Sequence, residues 1–61
     1  MITLEIRESE LPHLRSCLEV ALKLLRHEIA RTEHREFREM LLERDRALTD
    51  VLERLPATVP A

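Results

Sequence analysis

The stretch Ala30-Arg31-Thr32-Glu33-His34-Arg35-Glu36 contains no large apolar residue. It separates two series of apolar residues that recur at steps of three and four, the spacing of one buried helix face. The two series are Leu11, Leu14, Leu18, Leu22, Leu25 and Ile29, and Phe37, Met40, Leu41, Leu48, Val51, Leu52 and Leu55. The chain can reverse at the polar interruption, so the pattern predicts an antiparallel helical hairpin.

Capping signals place the ends of the two helices. Ser9 is a good N-cap, Pro12 falls in the first turn, and Pro56 cannot continue a helix. The expected elements are a first helix over about 9–31, a turn over about 32–34, a second helix over about 35–55 and a flexible tail over 56–61. The chain has no glycine to end the first helix in the usual left-handed cap. One continuous helix, paired as an antiparallel coiled coil, therefore remains the alternative.

The N-terminal segment 1–8 has a different pattern. Ile2, Leu4 and Ile6 alternate with polar residues, which is the period-two pattern of a half-buried strand. A lone strand needs a partner for its backbone groups, and no second strand is predicted. The segment is therefore expected either to pair with its symmetry mate or to pack as an extended arm on the helices.

Size and charge limit the class of protein. Sixty-one residues form one small domain, and Cys17, the sole cysteine, excludes an internal disulfide. Ten basic and twelve acidic residues are interspersed, which argues against nucleic acid as a partner. No apolar run is long enough for a bilayer, and the first residues lack the features of a signal peptide. We therefore expect a soluble cytoplasmic protein.

The first helix has more apolar surface than the second can cover. We therefore predict an all-α protein whose two-helix hairpins dimerise into a four-helix bundle, or form a larger even oligomer, with another protein as a further possible partner. The residues expected at the oligomer or partner interface are Ile2, Leu4, Ile6, Cys17, Val20, Leu24, Leu42 and Arg44. Arg44 falls within an apolar face, where it pairs with a partner carboxylate or extends its guanidinium to water.

No set of residues predicts catalysis. The string His27-Glu28-Ile29-Ala30-Arg31 has arginine where a zinc protease motif needs its second histidine. His27 and His34 together supply only two ligands, too few for a structural zinc site. We therefore predict no enzyme activity, no cofactor and no metal site, and a structural or protein-interaction role.

Two resemblances add to this interpretation. A short strand followed by two helices resembles the ribbon-helix-helix repressors and antitoxins, which implies that Thr3, Glu5 and Arg7 would contact DNA bases. The long first helix, Glu5 and the negative net charge depart from that pattern. The segment 28–39 resembles short uncharacterised bacterial proteins with a strand and a helical hairpin. That likeness implies the hairpin and carries no function.

Overall fold

The computed structural model describes residues 1–56, which are helical apart from the N-terminal segment, the turn and residues 55–56. The helices are α1, Leu11–Arg31, and α2, Arg35–Arg54, and they pack together as a hairpin. Side chains near the start of α1 reach the end of α2, which shows that the helices are antiparallel. The alternative of one continuous helix is therefore wrong. The expected tail lies, apart from Pro56, outside the described residues.

The reversal needs no glycine. Thr32 and His34 both have extended backbone conformations, with φ −85° and ψ 123° at Thr32 and φ −73° and ψ 116° at His34. No residue up to Pro56 has a positive φ. The Thr32 hydroxyl donates to the Glu28 carbonyl at 2.7 Å, and His34 Nδ1 accepts from the Phe37 backbone N–H at 3.4 Å. Two side chains thus complete the helix ends at the turn.

The start of α1 differs from the expected N-cap. Glu10, and not Ser9, is the N-cap, and its side chain does not bond to the first turn of the helix. Its carboxylate instead accepts from the Arg7 backbone N–H at 2.8 Å, while the Glu10 N–H donates to the Arg7 carbonyl at 2.9 Å. Residues 7–10 thus form a turn closed by these two hydrogen bonds, and α1 begins directly after it at Leu11. Pro12 lies in the first helical turn, as expected.

The N-terminal segment forms no strand, and no strand occurs anywhere within residues 1–56. Ile2 is 96% exposed and Leu4 is 76% exposed, so the segment does not pack as an arm on the helices. Both expectations are therefore unsupported in the single chain. The physical reason is that a strand needs a partner ladder, and the two described helices offer no strand edge to residues 1–7.

The core between the helices is small. Leu22 and Ile29 of α1 and Leu41 of α2 are the buried apolar residues of the described chain, and other residues of the two apolar faces are half-buried. Phe37 and Met40, expected in the buried face of α2, are exposed. The hairpin measures only 13 Å in its thinnest dimension, about one helix diameter. Because a single layer of two helices covers only one stripe of each, their flanking apolar residues stay open to solvent.

Candidate interaction surface

One side of the hairpin is joined by polar contacts, which we call the polar clamp: Arg26, Asp45 and Thr49. Arg26 Nε donates to Asp45 Oδ2 at 2.9 Å, and Arg26 Nη2 donates to the Thr49 hydroxyl at 3.2 Å. The Thr49 hydroxyl donates in turn to Asp45 Oδ1 at 3.3 Å. Two side chains of α2 therefore hold one arginine of α1, which fixes this side of the hairpin as the polar side.

A second arginine joins α1 to the end of α2. Arg15 Nη2 donates to the carbonyls of Leu55 and Pro56 at 3.2 Å and 2.7 Å. The last carbonyls of a helix lack partners within it and carry partial negative charge, so a guanidinium is well suited to them. Arg15 Nε is buried without a hydrogen-bond partner among the described residues. Arg15 thus fastens the open end of the hairpin, opposite the turn.

The polar clamp changes the ionisation of Asp45. The hydrogen bond from Arg26 lowers the pKa of Asp45 below its ordinary value of 3.8, while partial burial of the carboxyl opposes the change. The charge of Arg26 and the Thr49 hydroxyl lower the pKa further. The folded hairpin therefore binds a proton at Asp45 less readily than the unfolded chain does.

This lowered pKa predicts an acid-dependent loss of stability. Above about pH 3.8 the ionised Asp45 carboxylate makes its full contribution to the free energy of unfolding. This contribution is lost as the pH falls through the lower pKa that Asp45 has in the folded state. Thermal unfolding, followed by circular dichroism between pH 2 and 7, should therefore show a steeper acid decline in the wild type than in Asp45→Asn. Asp50→Asn is the control, since within residues 1–56 Asp50 forms its ion pair with Arg54 of its own helix. Equal acid declines in the wild type and Asp45→Asn would contradict the prediction.

The surface of α1 that faces away from α2 is apolar at its centre. At about 100° per residue, Leu24 and Val20 each lie about 160° around the helix from the buried Leu22. They are 65% and 55% exposed. We name this surface the outer stripe and define it as His13, Cys17, Val20, Leu24, His27 and Arg31. All of its residues are exposed, and no residue of α2 covers them.

A second apolar area lies on the broad side opposite the polar clamp. Phe37 and Met40 are 43% and 39% exposed there. Viewed along the axis of α2, Arg44 lies between these two residues, within the apolar face as expected. Its side chain is exposed. Among the described residues, no carboxylate forms an ion pair with Arg44.

The structure brings together only some of the residues predicted for the interface. Cys17, Val20 and Leu24 lie side by side on α1 and are exposed. Leu42 is half-buried and projects toward the side of the polar clamp, away from these three. Ile2, Leu4 and Ile6 lie in the N-terminal segment, which is not joined to that surface.

The contacts of Arg15, Arg26, Asp45 and Thr49 were not predicted from sequence. The sequence did indicate the position of the two arginines. At 100° per residue, Arg15 and Arg26 lie within about 40° of Leu22 around α1, and they therefore lie beside the interface between the helices. Their partners on α2 could be identified only once the helices were placed side by side. Arg35 pairs with Glu39 at 3.4 Å on the helix exterior.

Metal-binding groups and membrane-spanning helices were sought among the described residues. Residues 1–56 contain no group of three or more metal-binding side chains. Neither of the two described helices is long and apolar enough to cross a membrane. Comparison of the chain with protein-family models, curated proteins and solved structures found no match. The exposed apolar surfaces of the two helices are thus the features of the described chain that point to a function.

Proposed function

We propose that this protein is a self-associating helical module that serves as a structural or protein-interaction unit. The observation that carries the proposal is the imbalance between its core and its surface. Three apolar residues are buried in the described chain, whereas Val20, Leu24, Phe37 and Met40 are exposed on the helices. A helix pair with so small a core gains stability when a partner covers its apolar flanks.

The surface area supports association. The chain exposes 5696 Å², whereas a folded monomer of 7.2 kDa is expected to expose about 4,100 Å². Part of this excess of roughly 1,600 Å² belongs to the extended residues 1–7. The ~800 Å² that each partner buries in a standard protein interface is about half of this excess. The area exposed is thus sufficient for a specific dimer.

A homodimer in which two hairpins form a four-helix bundle is one arrangement that would cover these apolar residues. Two hairpins, each one helix thick, can cover each other's apolar flanks in a two-layer structure. In that arrangement Arg44 either pairs with a carboxylate of the second copy or extends along its surface to water. A ribbon-helix-helix role is not proposed, because residues 1–7 form no strand and the net charge is −2.

The oligomeric state tests this proposal. Sedimentation equilibrium or light scattering after size exclusion, from 1 to 200 µM, should give twice the 7.2 kDa of the chain or a larger even multiple. The thermal midpoint should also rise with protein concentration, because association stabilises the folded state by mass action. A monomer that is fully folded, with a midpoint that does not depend on concentration, would refute the proposal.

A further inference from the structure

The outer stripe has the spacing of a coiled-coil seam. Its six residues follow one another at steps of four, three, four, three and four, a seven-residue repeat that runs along nearly all of α1. Its central residues, Val20 and Leu24, are the most exposed large apolar residues of the two helices. Because the stripe lies away from α2, a third helix can lie along it without disturbing the hairpin.

Charges beside the stripe distinguish the possible orientations of such a helix. Lys23 and Glu28 flank it on opposite sides, five positions apart, and both are exposed. If two copies of α1 lie parallel and in register, each Lys23 faces Glu28 of the second copy, which gives two symmetric ion pairs. If they lie antiparallel and centred on the stripe, the two copies of Lys23 approach each other. Flanking charges of this kind set partner and orientation in coiled coils.

We propose that α1 binds α1 of a second copy of this chain through the outer stripe, parallel and in register. This inference rests on the proposed self-association, and it places the contact between the two copies on the edge of α1 that faces away from α2 instead of on the broad sides of the hairpins. Leu24 packs against Leu24 of the second copy, and Val20 and Cys17 meet their counterparts in the same way. The two copies of Arg31 meet at the end of the stripe, where their charges are exposed to solvent and screened by salt.

Cys17 reports on this geometry without any substitution in the stripe. In a parallel pair the two Cys17 residues lie opposite each other, at the separation that a disulfide bridges. Mild oxidation of the native dimer should therefore yield a disulfide-linked dimer nearly completely. The control is Cys17→Ser combined with Glu43→Cys, which moves the thiol to an exposed position on α2 and should cross-link far more slowly.

An antiparallel arrangement gives a different cross-linking result. The two Cys17 residues would then lie about 15 Å apart along the helix axis, too far for a disulfide. A mixture of Cys17→Ser/Val20→Cys with Cys17→Ser/Leu24→Cys would cross-link instead. This result in a dimeric protein would overturn the parallel inference and leave the proposed self-association intact.

Exchange of the flanking charges is an independent test of orientation. Lys23→Glu and Glu28→Lys should each weaken the dimer by roughly threefold to tenfold, because each puts like charges opposite each other. The double variant should return to within about twofold of the wild type, because it restores both ion pairs. Dissociation constants at low salt measure the effect. Failure of the double variant to recover would contradict the parallel pairing.

A charge in the stripe tests whether this surface is the interface at all. Leu24→Glu should weaken the dimer at least 100-fold, because two unpaired carboxylates would be buried together. Arg46→Gln makes the same change in net charge at an exposed position of α2 and should leave the dimer unchanged. If Leu24→Glu stays dimeric while Met40→Glu dissociates, the stripe is excluded and self-association remains. A wild-type protein that is monomeric would exclude both the outer stripe as an interface and the proposed self-association.

Discussion

Replacement of Leu41 by alanine is expected to abolish the cooperative unfolding transition of the hairpin. Leu41 is only 3% exposed and is the most buried residue of the described chain. Truncation of a buried leucine to alanine costs about 2–5 kcal/mol, through lost burial and the cavity that remains. A domain of this size rarely has more than about 3–5 kcal/mol of stability. The substitution therefore removes most or all of it.

The measurement is urea and thermal unfolding followed by the helical signal in circular dichroism. Leu4→Ala is the matched control, because it makes the same chemical change at a side chain that is 76% exposed. The control should change the free energy of unfolding by less than about 0.5 kcal/mol. If the two variants unfold at the same urea concentration, Leu41 does not occupy the core position that the structure gives it.

Replacement of Arg15 by methionine is expected to destabilise the hairpin by about 1–2 kcal/mol, since two charge-assisted hydrogen bonds to the end of α2 are lost. Methionine retains the apolar stem, so the substitution tests the guanidinium and not the packing. This loss in the free energy of unfolding is small for two charge-assisted hydrogen bonds, because the Pro56 carbonyl is exposed and water can replace the guanidinium as its donor.

The effect of Arg15→Met should also be local. The Leu55 backbone N–H, which donates to Val51 and Leu52 carbonyls, should exchange faster with solvent when the end of α2 frays. Arg46→Met is the control, since Arg46 is exposed and forms no ion pair in the part of the chain described. Unchanged exchange at Leu55 together with unchanged stability would show that Arg15 does not fasten the helix end.

The position of the reversal followed from the sequence, but its conformation did not. The polar stretch 30–36 predicted where the helices separate, and the structure has the turn at residues 32–34. The absence of glycine favours one continuous helix only if the turn between the helices requires a residue in the left-handed conformation. Thr32 and His34 show that an extended three-residue connection avoids that requirement. The preference of a turn for glycine depends on its backbone angles, which composition does not specify.

The candidate interface was predicted in part. The excess of apolar residues on α1 identified Cys17, Val20 and Leu24, because the angle of a residue around its own helix follows from its position in the sequence. Leu42 is half-buried in the single chain, because its exposure depends on the side of α2 toward which α1 leans, and its place at an interface stays a prediction. A strand was indicated by the alternation of Ile2, Leu4 and Ile6 with polar residues. A strand forms only when its backbone groups bond to a neighbouring strand, and the single chain offers none in the part described.

The sequence by itself determined the two helices, the place where the chain reverses and the face that each helix turns inward. These properties are local, because periodicity and capping act within a few residues. The tertiary structure decided how deep each apolar residue lies and which arginines cross between the helices. Leu41 is buried and Phe37 exposed, although both belong to the same sequence pattern. Burial depends on the distance to a neighbouring helix, and that distance is set only when the two helices pack.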